Sequence, residues 1–268
     1  RLSLVSEKGF DKLTAHDEKK TDYVEAHKNI IDEVVEKRDS GIPFFLYLHY
    51  PKIHTSLVEN VFEKYDDFSP EYFDNRVKNL EAYDNYLGLA GIYLKKIIEK
   101  IKATELEENT TIIVMADHGM GVGEKIGERA YGVFTYDYSI RTFATFINRE
   151  KFESGRVVDK LTRTVDILPT ILESLDIKKD PNFLDIDGKS LLEYLRPNTL
   201  LNKLRSFFSE SRIAFSETGG VYGPWPSPNE PNVRCMRTDS WKLIHNLTPD
   251  TFELYDIITD PTEDSNLV

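Results

Sequence analysis

The sequence has 268 residues, enough for one large α/β domain or a domain with an appendage. At this length about three quarters of the unfolded surface can be buried, so no disulfide or metal staple is needed. Acidic residues outnumber basic ones 46 to 34, and the net charge of −12 argues against a nucleic-acid backbone or an anionic membrane as the main partner. The single cysteine, Cys235, rules out an internal disulfide, and no stretch approaches the ~20 apolar residues of a membrane span. A small anionic substrate stays possible, because a metal and a few local cations can invert the field inside a pocket.

Residues 1–17 show no clear period, and Arg1-Leu2-Ser3 carries no signal-peptide pattern. The absent initiator methionine suggests that the true N-terminus lies elsewhere, which leaves localisation open. From about Thr21 to Lys37, Val24, Ile30, Ile31, Val34 and Val35 recur in a charged background, the pattern of an amphipathic helix ended by Asp39-Ser40-Gly41. Pro43 introduces Phe44-Phe45-Leu46-Tyr47-Leu48, a buried-strand candidate, and a loop carrying His49, Lys52 and His54 is expected after it. Pro70 starts a long helical pattern to about Ile101, with Val77, Leu80, Tyr83, Leu87, Ala90, Leu94, Ile97 and Ile98 at three-four spacing.

Thr110–Ala116 is a second apolar, β-branched run, followed by a loop with Gly119, Gly121 and Gly123. Thr142–Ile147 reads as a further strand, and helical patterns cover roughly 157–175 and 188–196. After about Ala214 the character changes. Pro224, Pro226, Pro228 and Pro231 mark an irregular connection. Val233–Arg237, Trp241–His245 and Phe252–Ile257 then read as a small antiparallel sheet. The expected division is therefore 1–212, part of an α/β core, and 213–268, a small antiparallel β subdomain.

Asp117-His118-Gly119 closes the second apolar run. A carboxylate beside an imidazole at a strand end builds a poor core but can hold a divalent metal at the mouth of an α/β sheet. Neighbouring side chains on a strand point to opposite faces, so both reach one ion only if the backbone turns there. The alternative is a strand end followed by a flexible polar loop. The glycines match neither G-x-G-x-x-G nor a Walker pattern, which argues against nucleotide binding of those kinds.

Taken in order, these pieces resemble the sulfatase branch of the alkaline phosphatase superfamily. Pro43–Leu48 with His49 and His54 is similar to the strand that delivers a histidine to the substrate. Tyr83-Asp84-Asn85-Tyr86-Leu87-Gly88, Asn109–Val114 with Asp117-His118-Gly119, Gly123-Glu124 and Tyr136–Arg141 resemble successive family elements. Thr164–Leu172, Asp187–Leu192, Arg237–Ile244, Glu253–Asp256 and Asp260-Pro261 continue the series to the C-terminus.

The resemblance implies an alkaline phosphatase/sulfatase-like mixed sheet flanked by helices, and hydrolysis of a small-molecule sulfate or phosphate ester. It implies Asp117 and His118 as ligands of one divalent metal (Ca, Mg or Mn, with Zn less suited). His54 would contact the substrate or protonate the leaving group, and His49, Lys52 and Arg129 would be substrate-binding candidates. Two departures stand out. Gly132 occupies the place of a family lysine. No Cys/Ser-x-Pro/Ala-x-Arg segment, whose cysteine would become formylglycine, is present; Cys235 lies in Cys-Met-Arg-Thr-Asp. The family's paired N-terminal aspartates are absent as well.

Calcium takes about six to eight oxygen-type ligands and magnesium about six, so one Asp and one His cannot complete a site. The expectation is a C-terminal portion of the enzyme, with half the active site upstream. Two other readings remain open. One is a phosphodiesterase, phosphonate hydrolase or phosphoglycerol-type transferase of the same superfamily. The other is a non-catalytic protein that keeps the fold for binding, or a chain that completes its site with another polypeptide; a homo-oligomer is also open.

Overall fold

The structure, a computed structural model, describes residues 10–62, 70–128, 130–178, 186–195, 212–219, 232–248 and 250–268. The chain divides into two units, Arg1–Glu107 and Glu108–Val268.

In the first unit, α1 (Tyr23–Asp39) begins where Asp22 accepts hydrogen bonds from the Val24 and Glu25 amides, and Lys37 and Arg38 sit in its last turn. Its buried face is Tyr23, His27, Ile31 and Val34, the i, i+4, i+8, i+11 row of a helix. Ile31 and Val34 form a core with Leu106 and with Ile97 of α4 (Arg76–Ala103). The single long helix expected from Pro70 is interrupted. A short α3 (Pro70–Asp74) ends at Asn75, whose side-chain amide donates to the Glu71 carbonyl at 2.7 Å. Such local side-chain bonds compete with helix continuation.

Among the described residues no strand pairs with the Phe44–Leu48 run, which lies outside any helix or strand. Phe44, Leu46 and Leu48 pack on the α1–α4 core, while Phe45 and Tyr47 are 72% and 60% exposed. The two-residue alternation is that of a strand; the ladder is what is missing. His49 follows outside any helix or strand, but Lys52 and His54 lie on a helix, α2 (Lys52–Asn60), instead of the expected loop. Pro51 at its N-cap position starts that helix, and its carbonyl accepts from the Thr55 amide.

His27 is buried among rings. Its Nδ1 lies 2.6 Å from the Tyr93 hydroxyl, and Tyr50 stacks on Tyr93 with centroids 4.0 Å apart. Burial, aided by the neighbouring His16 and His49, drives the His27 imidazole down to about 4.

In the second unit, β1 (Ile112–Met115) pairs antiparallel with β2 (Ala144–Ile147), placing Ile112 opposite Ile147 and Met115 opposite Ala144. Between them a four-residue turn of helix, α5 (Asp137–Ile140), follows the glycine loop. The helical pattern expected over 157–175 is realised only from a 3₁₀ turn at Thr164–Asp166 into α6 (Ile167–Ser174). The reason is that the preceding backbone is committed elsewhere: the Leu161 amide donates to Asp239 at 2.8 Å and the Arg163 amide to Asp166 at 3.0 Å.

Asp166 is fully buried and also pairs with the Arg163 and Arg212 guanidinium groups and with the Lys189 amide. Burial pushes its carboxyl up, but the Arg163, Lys189 and Arg212 contacts outweigh that and hold it below the usual carboxylate range. A Cβ on Gly188 would lie 1.9 Å from the Val165 carbonyl oxygen, so only glycine fits beside this turn. The motifs around Asp166 and Gly188 thus form one structural knot, leading to α7 (Leu192–Leu195).

The last third of the chain supplies an antiparallel sheet ordered β3 (Ala214–Thr218), β4 (Val233–Arg237), β5 (Trp241–Asn246), β6 (Thr251–Asp256). Its buried face holds Val233, Cys235, Ile244 and Tyr255, with Ile257 and the partly buried Tyr136 and Ile140 against it. Burial pushes the Cys235 thiol up, which marks it as a core residue and not a nucleophile.

Lys242, fully buried, is 2.9 Å from Asp137 Oδ1 and 2.7 Å from Glu263 Oε1. The second contact supplies charge without aligned hydrogen-bond geometry, so Glu263 Oε1 has no hydrogen-bond partner. Arg237 adds a second cation 3.2 Å from Asp137 Oδ2.

Two outcomes are expected. Lys242→Met removes the ammonium but keeps the stem, leaving Glu263 without a cation and Asp137 with Arg237 alone. It should cost about 3–5 kcal/mol in urea unfolding, and a cost under about 1 kcal/mol would remove the network from its structural role. The unfolded chain protonates His27 near pH 6.5, whereas the folded chain does so only near 4, so stability falls as pH drops through that window. The stability gap between wild type and His27→Gln should therefore narrow by up to about 3 kcal/mol from pH 7 to pH 4. A gap that stays constant with pH contradicts the buried neutral histidine.

Candidate metal centre

The strand β1 delivers its end to a close passage of backbone. The Gly119 amide donates to the Ser139 carbonyl at 2.8 Å, and a Cβ at Gly119 would stand 2.2 Å from the Tyr138 carbonyl oxygen. No other residue fits there without moving α5. The tie bends the chain directly after Asp117 and His118. Their side chains consequently turn toward one another, with Asp117 Oδ2 and His118 Nε2 3.9 Å apart.

The protonation pattern of His118 follows from its partner. Nδ1 lies 2.6 Å from the Gly119 carbonyl oxygen, which can only accept, so Nδ1 carries the hydrogen and donates. In the neutral ring Nε2 is then the lone pair, and it faces the Asp117 carboxylate. The other Asp117 oxygen accepts from the His118 amide at 2.9 Å, which fixes the carboxylate's rotation. The two side chains are 83% and 37% exposed, and among the described residues their ion pair is with each other.

Two donors of this kind fit adjacent corners of a coordination sphere, and the hydrogen-bonded second nitrogen is what metal-bound histidines use to hold their tautomer. Among the described residues no group of three or more His, Cys, Asp or Glu side chains is arranged to hold a metal. By themselves two donors do not fill the roughly six or more positions of such an ion.

The loop beyond is held from inside. Glu128, fully buried, accepts from the Val133 and Phe134 amides at 2.9 Å each, and burial raises its carboxyl despite those bonds. Glu124 accepts from the Val122 amide at 2.6 Å. Lys125 reaches the Glu263 carbonyl at 2.5 Å and Asp264 at 2.9 Å, over the Tyr136 ring, so its charge braces the loop against the C-terminal segment.

His49, Lys52 and His54 belong to the first unit. Lys52 donates to the Lys19 carbonyl at 2.9 Å and lies 5.8 Å above the Tyr23 ring. His49 is exposed and His54 half-buried on the first turn of α2. Arg129 lies outside the described residues. Lys242, Arg237 and Asp137 were not singled out as a group by sequence. Asp137 and Lys242 are 105 residues apart, a separation that no local pattern reports.

The Sulfatase family profile matches residues 6–177, and the profile described as "N-sulphoglucosamine sulphohydrolase, C-terminal" matches residues 130–268. The chain is 26% identical over 254 residues to an uncharacterized sulfatase, YdeN, of Escherichia coli K12, covering 84% of this chain and 43% of that protein. It is 22% identical over 261 residues to a sulfatase of Formosa agariphila, covering 89% and 44%. The chain thus spans less than half the length of these relatives. Among solved structures, its fold is similar to yidJ of Bacteroides fragilis, with TM-score 0.65, 18% identity, and coverage of 91% of this chain and 54% of that one. BT1596, described as a 2-O GAG sulfatase, is similar with TM-score 0.59 and 24% identity, over 72% and 39% of the two chains.

Proposed function

The chain belongs to the sulfatase family of the alkaline phosphatase superfamily, and on that premise we propose that it forms part of a metal-dependent hydrolase of small-molecule sulfate esters. The observation that carries the metal reading is the 3.9 Å approach of Asp117 Oδ2 to His118 Nε2, with Nδ1 tied to the Gly119 carbonyl. A bound Ca, Mg or Mn ion would neutralise the non-bridging oxygens of the ester as charge builds there. In this reading the remaining ligands, and the nucleophile, come from residues outside this sequence. The donor count supports that, as does a span of 43–44% of the curated relatives.

Each side chain has a task in this scheme. Asp117 presents its Oδ2 and keeps Oδ1 on its neighbour's amide, so one oxygen is set toward Nε2. His118 presents a neutral nitrogen in a fixed tautomer. His54, on the first turn of a helix, is assigned contact with the ester and proton delivery to its leaving oxygen. His49, three residues before that helix, is assigned to the same ester. Lys52 commits its ammonium to the Lys19 carbonyl, which supports a bracing role for it beside a substrate contact. Arg129 remains a substrate cation in the proposal.

Asp117→Ala in the full-length gene product should lower kcat/KM for an aryl sulfate by about 10²–10³-fold, with Mn, Mg and Ca each supplied. Phosphodiester and phosphonate monoester assays run alongside identify the preferred ester. Unchanged sulfate hydrolysis in the variant contradicts the ligand role. Metal-dependent turnover by the 268-residue chain alone contradicts the shared site.

A further inference from the structure

The His118 imidazole is held on an edge and on a face. The edge contact is the hydrogen bond from Nδ1 to the Gly119 carbonyl. The face contact is Tyr131, whose ring centroid lies 4.3 Å from that of His118 at an interplanar angle of 39°. The backbone on both sides of Tyr131 is pinned. The Ala130 carbonyl accepts from the Gly121 amide at 2.5 Å, and the Gly132 carbonyl accepts from the Thr218 hydroxyl on β3 at 2.5 Å. Gly132 itself has φ +89°, a reversal that glycine adopts without strain. The aromatic side chain is thus placed by its backbone as well as by its tilted ring contact.

Tyr131 is thus in ring contact with one member of the Asp117–His118 pair. Rotation of the imidazole about its Cβ–Cγ bond would break the Nδ1 hydrogen bond and disturb the ring contact together. A ligand that cannot rotate loses less freedom when it binds an ion.

We propose that Tyr131 is a positioning residue for the Asp117–His118 pair, its ring fixing the imidazole so that Nε2 stays turned toward the Asp117 carboxylate. This rests on the reading of those two residues as cation ligands. The role belongs to the ring and not to the hydroxyl, so phenylalanine should serve and leucine should not.

The test is NMR of the 268-residue chain with histidine rings isotopically labelled, titrated with Mn²⁺; six histidines leave the His118 ring signals assignable. In wild type the His118 signals should broaden selectively, and they should carry an upfield ring-current shift from Tyr131. Tyr131→Phe should keep both the shift and the Mn²⁺ response. Tyr131→Leu should lose the shift and need about three- to ten-fold more Mn²⁺ for the same broadening, the size expected of one aromatic contact. Equal Mn²⁺ response in wild type and Tyr131→Leu overturns the positioning role while leaving the ligand reading intact. Two donors suffice for weak binding and weak binding suffices for paramagnetic broadening, so no broadening of His118 in wild type at excess Mn²⁺ overturns both. A thermal melt of each variant shows whether leucine has acted by unfolding the loop; a Tyr131→Leu chain that melts with wild type and still loses Mn²⁺ affinity supports the role.

Discussion

Lys242 has no exposed surface, and an ammonium is tolerated there only because Asp137 and Glu263 meet it and Arg237 shares the load on Asp137. The consequences run outward along the chain. Glu263 Oε2 accepts from the Asp137 amide at 2.6 Å, which fixes the first residue of α5. The carbonyl of Ser139, two residues on, receives the Gly119 amide, and Gly119 in turn bends the chain so that Asp117 and His118 face each other. The β4–β5 hairpin that carries Arg237 and Lys242 therefore sets the pair of donors without touching them.

The two carboxylates answer the same ammonium differently. Burial pushes the Asp137 carboxyl up, but the Lys242 and Arg237 charges and hydrogen bonds win and hold it below the usual range. At Glu263, burial wins over Lys242 and the carboxyl is raised. Asp137 is thus the more readily ionised of the two carboxyls and Glu263 the less readily ionised. A buried network of this kind contributes little net stability over an apolar core of the same volume, yet losing one member is costly because the others stay charged and dry. Its value here is registry: it fixes which turn of α5 meets which strand of the sheet.

Much of the second unit was legible in the sequence. The β-branched run before Asp117 gave β1, and the alternating segments after the prolines gave β4, β5 and β6 within a residue or two. The approach of Asp117 to His118 was readable because the glycines after them permit a turn at the end of the strand. The long α4 was visible as a period, but its break at Asn75 depends on one side-chain bond. The misread stretch before Thr164 looked amphipathic; its backbone is drawn off by Asp239, a partner far along the chain. Lys52 and His54 read as loop because the helix that holds them starts at a proline and lacks a side-chain cap. The Phe44–Leu48 segment kept strand periodicity without a ladder, since periodicity records which side is buried and not what lies alongside. His27 went unnoticed because a lone histidine among tyrosines gives no pattern.

The central claim is that Asp117 and His118 are two ligands of a cation whose other ligands lie outside this sequence. The direct measurement is anomalous scattering from crystals of the full-length gene product grown with Mn²⁺. The account predicts one strong peak bonded to Asp117 Oδ2 and His118 Nε2 and completed by carboxylate oxygens from beyond these 268 residues. A peak elsewhere, with His118 Nε2 hydrogen-bonded to a protein group, would contradict it.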